Sequence, residues 1–227
     1  MLLLLGLAQA GPSKDTVDAA REALLAKDAE RALSLLAQAR MSIPNEQAVV
    51  DAATISHLIY LEGLAPRVLG VERERDVAKW RNALVVYPGL KWDREIIDDN
   101  ALRGFFEALR SEVGQRSGVP TGVPEVRGLL KAYVDGVEHV HMQAVREGTH
   151  VVQVECPDGS VRGDWTDFQD PYDWFSLCPD GVDLSVSTPV VEVDEFAMGD
   201  DNPRAGPAPL VWVPPAVAPI RAKREGP

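Results

Sequence analysis

Residues 128–165 read GLLKAYVDGVEHVHMQAVREGTHVVQVECPDGSVRGDW, and in them the apolar spacing changes from about every third or fourth position to every second. Three strand-like runs stand out, 129–134, 149–155 and 160–165. They are separated by Asp135-Gly136, Glu147-Gly148 and Asp158-Gly159. Asp-Gly supplies the positive φ that tight hairpin turns need, so the stretch predicts short antiparallel strands. Working outward, the preceding residues 116–126, RSGVPTGVPEV, concentrate Gly, Ser and Pro and mark a boundary between domains. Everything before that boundary reads as helix.

From Asp15 the text DTVDAAREALLAKDAERALSLLAQARMSIP places Val17, Ala20, Leu24, Ala32, Leu35, Leu36 and Ala39 at helical spacing. Lys27-Asp28 divides it into two helices, Asp15 or Thr16 caps the first, and Pro44 stops the second. A further helix is expected within 93–114, capped by Asp99 or Asn100, carrying Leu102, Phe105, Phe106 and Leu109 as core residues, and closed by Gly114. Counting back from Pro44, Ala20, Ala32, Leu36 and Ala39 fall where a tetratricopeptide repeat places small and packing residues, and this half resembles that family. A second copy running to Pro88 matches at Tyr60, Trp80 and Ala83 and departs at Leu64 and Asp76. The alternative is an unrelated stack of helical hairpins.

The β-like half resembles the small β-domain called PEGA. The residues that carry the likeness are Tyr133-Val134-Asp135-Gly136 and Gly148-Thr149-His150-Val151-Val152-Gln153-Val154, about forty residues in all. The resemblance implies an envelope-associated module that attaches to a ligand rather than catalysing. Together the two halves predict an α+β protein, an N-terminal α-helical hairpin or tetratricopeptide-like stack followed by a small antiparallel β-sandwich-like domain. The expected limits are 11–115 for the helices, 116–126 for the linker and 127–198 for the β-domain.

Charge is unevenly spread. The formal net charge is −12, yet residues 151–201 hold thirteen Asp or Glu against one basic residue, Arg162, leaving 22 of each sign elsewhere. Nucleic acid binding needs clustered Lys and Arg, so neither nucleic acid nor an anionic lipid surface is an expected partner. The acidic segment also holds the only two cysteines, each opening the tetrapeptide Cys-Pro-Asp-Gly at 156 and 178. Proline presets φ and glycine takes the left-handed position, so each thiol sits in a rigid turn. In an exported protein such a pair is most simply a disulfide, Cys156–Cys178; two reduced buried thiols are the alternative.

Between the cysteines lie Asp164, Trp165, Asp167, Asp170, Tyr172, Asp173 and Trp174, carboxylates alternating with aromatic rings. This is the candidate ligand-binding loop. Rings that stack and oxygens that accept hydrogen bonds suit a sugar or a cationic peptide, and hard oxygen ligands would suit Ca²⁺, although no EF-hand spacing is present. A solvated acidic face over buried rings is the plainer outcome. No cofactor and no resident metal are expected. His139, His141 and His150 lack an evident fourth ligand for zinc and read as a surface pair beside a strand histidine.

No phosphate loop, Gly-x-Ser-x-Gly elbow or unpaired thiol nucleophile is present, so no catalytic residues are assigned. The first residues, MLLLLGLAQA, combine an apolar run with Ala8-Gln9-Ala10 and predict a signal peptide at 1–10; an apolar first helical turn is the alternative. No later window approaches ~18 consecutive apolar residues, so no transmembrane insertion is expected. The tail 199–227 is Pro-rich and expected to be extended. The resulting expectation is a periplasmic or secreted, non-catalytic binding or scaffolding protein of a bacterial-type cell envelope. Its helical repeats would serve protein partners and its acidic aromatic loop an envelope ligand, a protein or a glycan. A glycan hydrolase using acidic residues of 164–201 is the alternative.

Overall fold

Lys27, in the left-handed region at φ 62°, ends the first helix and leads straight into Asp28, whose carboxylate accepts the Arg31 backbone N–H at 3.1 Å to cap the second. These helices are α1 (Pro12–Leu25) and α2 (Ala29–Ser42). α1 begins with proline in its first turn, where the missing N–H is not needed. Asp15 and Thr16, expected as caps, therefore lie inside the helix, and the Thr16 hydroxyl donates back to the Pro12 carbonyl at 2.8 Å. Pro44 does stop α2, within a single 3-10 turn over Ile43–Asn45.

The computed structural model describes residues 12–71, 74–123, 131–140, 143–168 and 172–178; the leader at 1–10 and the tail at 199–227 lie outside them. A second hairpin is made by α3 (Ala52–Val68), capped by Asp51 through the Thr54 N–H at 2.9 Å, and α4 (Glu74–Val86). α5 (Asn100–Gly114) follows, capped by Asp99, which accepts from Ala101 and Leu102. Each helix packs on the next in sequence, and α1 also meets α3. Their shared core is aromatic at its centre: Tyr60, Trp80, Trp92 and Phe106 meet edge-on or tilted, with centroids 5.4–6.4 Å apart. Phe106 and Leu109 are core as expected. Phe105 is not; it is 43% exposed on the outer face of α5.

Among the described residues the β half is two antiparallel sheets. β2 (Lys131–Val134), β3 (Val137–His139), β5 (His150–Glu155) and β6 (Val161–Thr166) form one in the order β3-β2-β5-β6. β1 (Gly118–Pro120) and β4 (Ala144–Arg146) form a two-stranded ribbon. The fold is thus mixed α+β. Asp135 and Gly136, at φ 50° and 74°, make the two-residue turn between β2 and β3 with Val134 opposite Val137, as Asp-Gly predicts. Within the Gly/Pro-rich stretch 116–126, residues 118–120 are β1, and Thr121 and Val123 are buried.

β5 explains how the halves meet. Its burial is continuous, unlike a strand with one wet face, because both faces are covered. Val151 joins the helical core, while Val152 and Val154 join a second core with Phe168, Trp174, Cys156 and Cys178. Between them Gln153, 1% exposed, reaches the helical side. Its Oε1 accepts the Val50 N–H at 2.9 Å and its Nε2 donates to the Ile43 carbonyl at 3.2 Å. A methyl group on Gly136 would press into the Val50 carbonyl, and one on Gly163 of β6 would meet the backbone oxygens of Val152 and Pro44. Backbone lies against backbone at this junction.

Candidate functional site

The loop between the cysteines turns its rings inward. Trp165 extends from β6 toward the helices, where its indole N–H donates to the Arg40 carbonyl at 3.0 Å and the Arg40 guanidinium lies 4.3 Å over the ring. Trp174 is fully buried in a single 3-10 turn, Trp174–Leu177, and donates to the Thr121 carbonyl at 3.0 Å. Half-buried Tyr172 packs against Phe168 and Trp174, with centroids 6.2 and 5.2 Å away. Burial first, and then the charges of Asp164 and Asp173, push its phenol up to about 12. The Cys156–Cys178 disulfide closes this arrangement with Cα atoms 5.7 Å apart, and both sulfurs belong to the core the rings fill.

The carboxylates face outward. Asp164 is exposed and accepts its neighbour Trp165's N–H; Asp173 caps the 3-10 turn through the Phe175 N–H at 3.2 Å. Asp167, also exposed, lines a cleft, and Asp170 lies outside the described residues. The sequence loop is therefore not gathered at one point. What it shares with the rest of the fold is that cleft.

The cleft has a volume of about 380 Å³ and is walled by α4 on one side and the β4–β5 turn on the other. Asn82 of α4 fixes the two walls together. Its Nδ2 donates to the Thr149 carbonyl at 2.8 Å and its Oδ1 accepts the Thr149 N–H at 2.7 Å. The floor holds Glu62, buried on α3 and paired with Arg40 at 3.0 Å and Lys79 at 3.1 Å. Arg81 and Arg116 are both held by Glu112, at 3.0 and 3.4 Å, and the Arg81 hydrogen bond holds that carboxyl below the usual range. All four cations are ion-paired. Glu62 and Glu112 are each shared by two of these cations, so the ion pairs leave two positive charges, and Glu147 and Asp167, which carry no ion pair among the described residues, balance them.

Behind the turn lies a pair that the sequence reading did not bring together. His150, 1% exposed, begins β5; its Nδ1 is 2.6 Å from Asp135 Oδ2 and its Nε2 is 2.7 Å from the Arg146 carbonyl oxygen. Asp135 Oδ1 accepts the Val151 N–H at 3.0 Å. Both partners of the ring are acceptors, an arrangement that only the doubly protonated imidazolium satisfies at both nitrogens. Burial works against that charge, but the Asp135 hydrogen bond and charge, the Arg146 carbonyl and Asp167 outweigh it and raise the pKa above the ordinary value. Half-buried His139 is pushed the other way by desolvation. His141 lies outside the described residues, and His150 has no nitrogen free to ligate a metal. Among the described residues no group of three His, Cys, Asp or Glu is placed to hold a metal ion.

The pairing was open to inference. Asp135 is in the turn that ends β2, β2 pairs with β5, and Val134 is opposite Val152, so the turn aspartate comes beside the first residues of β5. Comparison of the chain with protein-family models, with curated proteins and with solved structures finds no match. Among the described residues no helix is long and apolar enough to cross a membrane.

Proposed function

We propose that this chain is a non-catalytic binding or scaffolding module of a cell envelope, and that its ligand enters the cleft between α4 and the β4–β5 turn. The observation that carries the reading is a cleft of about 380 Å³ whose walls are pinned by Asn82, whose cations are each held by Glu62 or Glu112, and whose Glu147 and Asp167 carry no ion pair among the described residues and so are open to a ligand. Such pre-ordered polar groups in a concavity are what small ligand sites share. The disulfide in the sheet core supports an oxidising compartment, periplasmic or extracellular. Two helical hairpins in sequence support the tetratricopeptide-like reading of residues 15–88, and the Asp135-Gly136 hairpin with its long β5 partner supports the PEGA-like one. The helical surface then serves protein partners, and the cleft takes a cationic group of a protein or of an envelope glycan.

The test is calorimetric titration with amino-sugar oligomers and with Lys-rich peptides. Binding that weakens about tenfold or more in Asp167→Asn and Glu147→Gln supports the reading; binding unchanged by both substitutions places the ligand elsewhere and refutes it. A glycan hydrolase is favoured by one observation, that Glu147 and Asp167 share a cleft. It predicts turnover of glycan oligomers that both substitutions abolish.

A further inference from the structure

His150 is also a mechanical link within the β half. The ring ties two elements that belong to different sheets: the β2–β3 turn, through Asp135, and the C-terminal end of β4, through the Arg146 carbonyl. Asp135 is fixed independently. Its carboxylate also holds the Val151 N–H, its own N–H donates to the Val151 carbonyl at 2.8 Å, and Gly136 beside it is pressed on Val50. The Arg146 end is less constrained, because the β1–β4 ribbon has only three residue pairs, the last being Gly118 with Arg146.

A ring with two donors can satisfy both acceptors; a neutral ring can satisfy one. The carboxylate is the stronger acceptor, so a neutral His150 keeps its proton on Nδ1 and turns the lone pair of Nε2 toward the Arg146 oxygen. Two lone pairs facing each other at 2.7 Å in a buried place repel, and the movable partner gives way. Arg146 is followed directly by Glu147 and Gly148, which line the cleft. The far end of that turn stays anchored by Asn82 on Thr149.

We infer that His150 is a protonation latch, clamping the β4–β5 turn when charged and releasing Arg146–Gly148 when it loses its proton. The groups that face it are Asp135 from the β2–β3 turn, Asp167 from the end of β6, His139 from β3 and the Arg146 carbonyl from β4. Arg116 and the Arg146 side chain line the same cavity, and the Phe168 ring lies against the imidazole at 5.8 Å. The two carboxylates hold the latch shut and the cations favour its opening. Release belongs at a pH above the ordinary histidine value. Its effect on a ligand rests on the binding reading above; the latch itself does not.

The experiment uses the free full-length chain. The ring nitrogen resonances of His150 report whether both sites carry protons, and amide hydrogen exchange reports the β1–β4 ribbon and residues 146–148. Between about pH 5.5 and about pH 9, spanning the histidine range, the ring should lose its Nε2 proton. Exchange of those amides, corrected for its intrinsic pH dependence, should accelerate about tenfold or more in the same step. In His150→Gln the step should vanish while β5 stays protected. Ribbon protection that ignores the ring's titration in the unsubstituted chain overturns the latch, whether or not the variant folds. A step that persists unchanged in a folded His150→Gln overturns it as well. Because no ligand is present, neither outcome bears on whether the cleft binds one.

Discussion

Replacing Gln153 by leucine keeps the volume of the side chain and removes both of its hydrogen bonds. The Val50 N–H, which Gln153 satisfies at 2.9 Å, then loses its partner in a buried setting, while the Ile43 carbonyl loses Gln153 at 3.2 Å and keeps the Glu46 N–H at 3.4 Å. Leaving a buried polar group unpaired costs roughly 1–3 kcal/mol and losing one of a carbonyl's two bonds roughly 0.5–1.5 kcal/mol, so the substitution costs about 1.5–4.5 kcal/mol. A domain is ordinarily stable by about 5–15 kcal/mol, which makes this substitution a large fraction of the total. Urea unfolding followed by tryptophan fluorescence and by far-ultraviolet circular dichroism measures it. The helical core contains Trp80 and Trp92 and the sheet core contains Trp174, so fluorescence senses both. The expected result is a midpoint lowered in proportion, an unchanged slope, and coincidence of the two probes, because one side chain ties both cores. A loss below about 1 kcal/mol would mean that water or backbone adjustment replaces the amide, and the strut would be refuted.

Other perturbations follow from the same geometry. Reducing the Cys156–Cys178 bond, or replacing both residues by Ala, removes a closure spanning 22 positions; the chain-entropy relation gives about 3 kcal/mol, read as a fall in melting temperature, and no fall would show the loop to be held by Trp174 and Phe168 alone. Gly136→Ala should destabilise by more than the ~1–2 kcal/mol of a left-handed alanine, since its methyl would also displace the Val50 and Asp51 backbone; a loss of less than ~1 kcal/mol in urea would contradict the close approach. Because His150 binds its proton more tightly folded than unfolded, its contribution is fully present below about pH 6.5 and fades as pH rises through the higher folded value. Melting temperatures measured across that window should fall with pH in the native chain and lose that component in His150→Gln.

Local chemistry was the legible part of this sequence. Asp28, Asp99 and Pro44 begin or end helices through their own atoms, and Asp135-Gly136 makes its turn because few other pairs accept two positive φ values. The three strand-like runs map onto β2, β5 and β6 within two residues at either end. What escaped was decided far along the chain. β1 and β4 are three residues each and pair across a separation that no periodicity can reveal. The rings of 165–174 read as a ligand platform beside their carboxylates, but Trp165 and Trp174 find backbone carbonyls in Arg40 and Thr121 that lie 125 and 53 residues away. The cleft itself is made of Arg40 from α2, of α3, α4, Arg116 just past α5 and the β4–β5 turn; of its lining only Asp167 was a candidate binding residue, while Glu147, Gly148 and Thr149 were read as turn and strand.

The double-faced burial of β5 has a consequence for how the chain is made. Synthesis runs from the N-terminus, so the helices emerge first, and the Val50 N–H waits for a partner 103 positions downstream, the Ile43 carbonyl for a second one 110 positions downstream. Until Gln153 and Trp165 arrive, the nascent helical layer keeps an open seam of apolar side chains and orphan backbone groups where the sheet will sit. Contacts of such long sequence separation are slow to form, because the loop must close before it is rewarded. The last third of the described chain therefore acts as the keystone of the first: a ribosome-bound intermediate lacking β5 is the species a chaperone would meet.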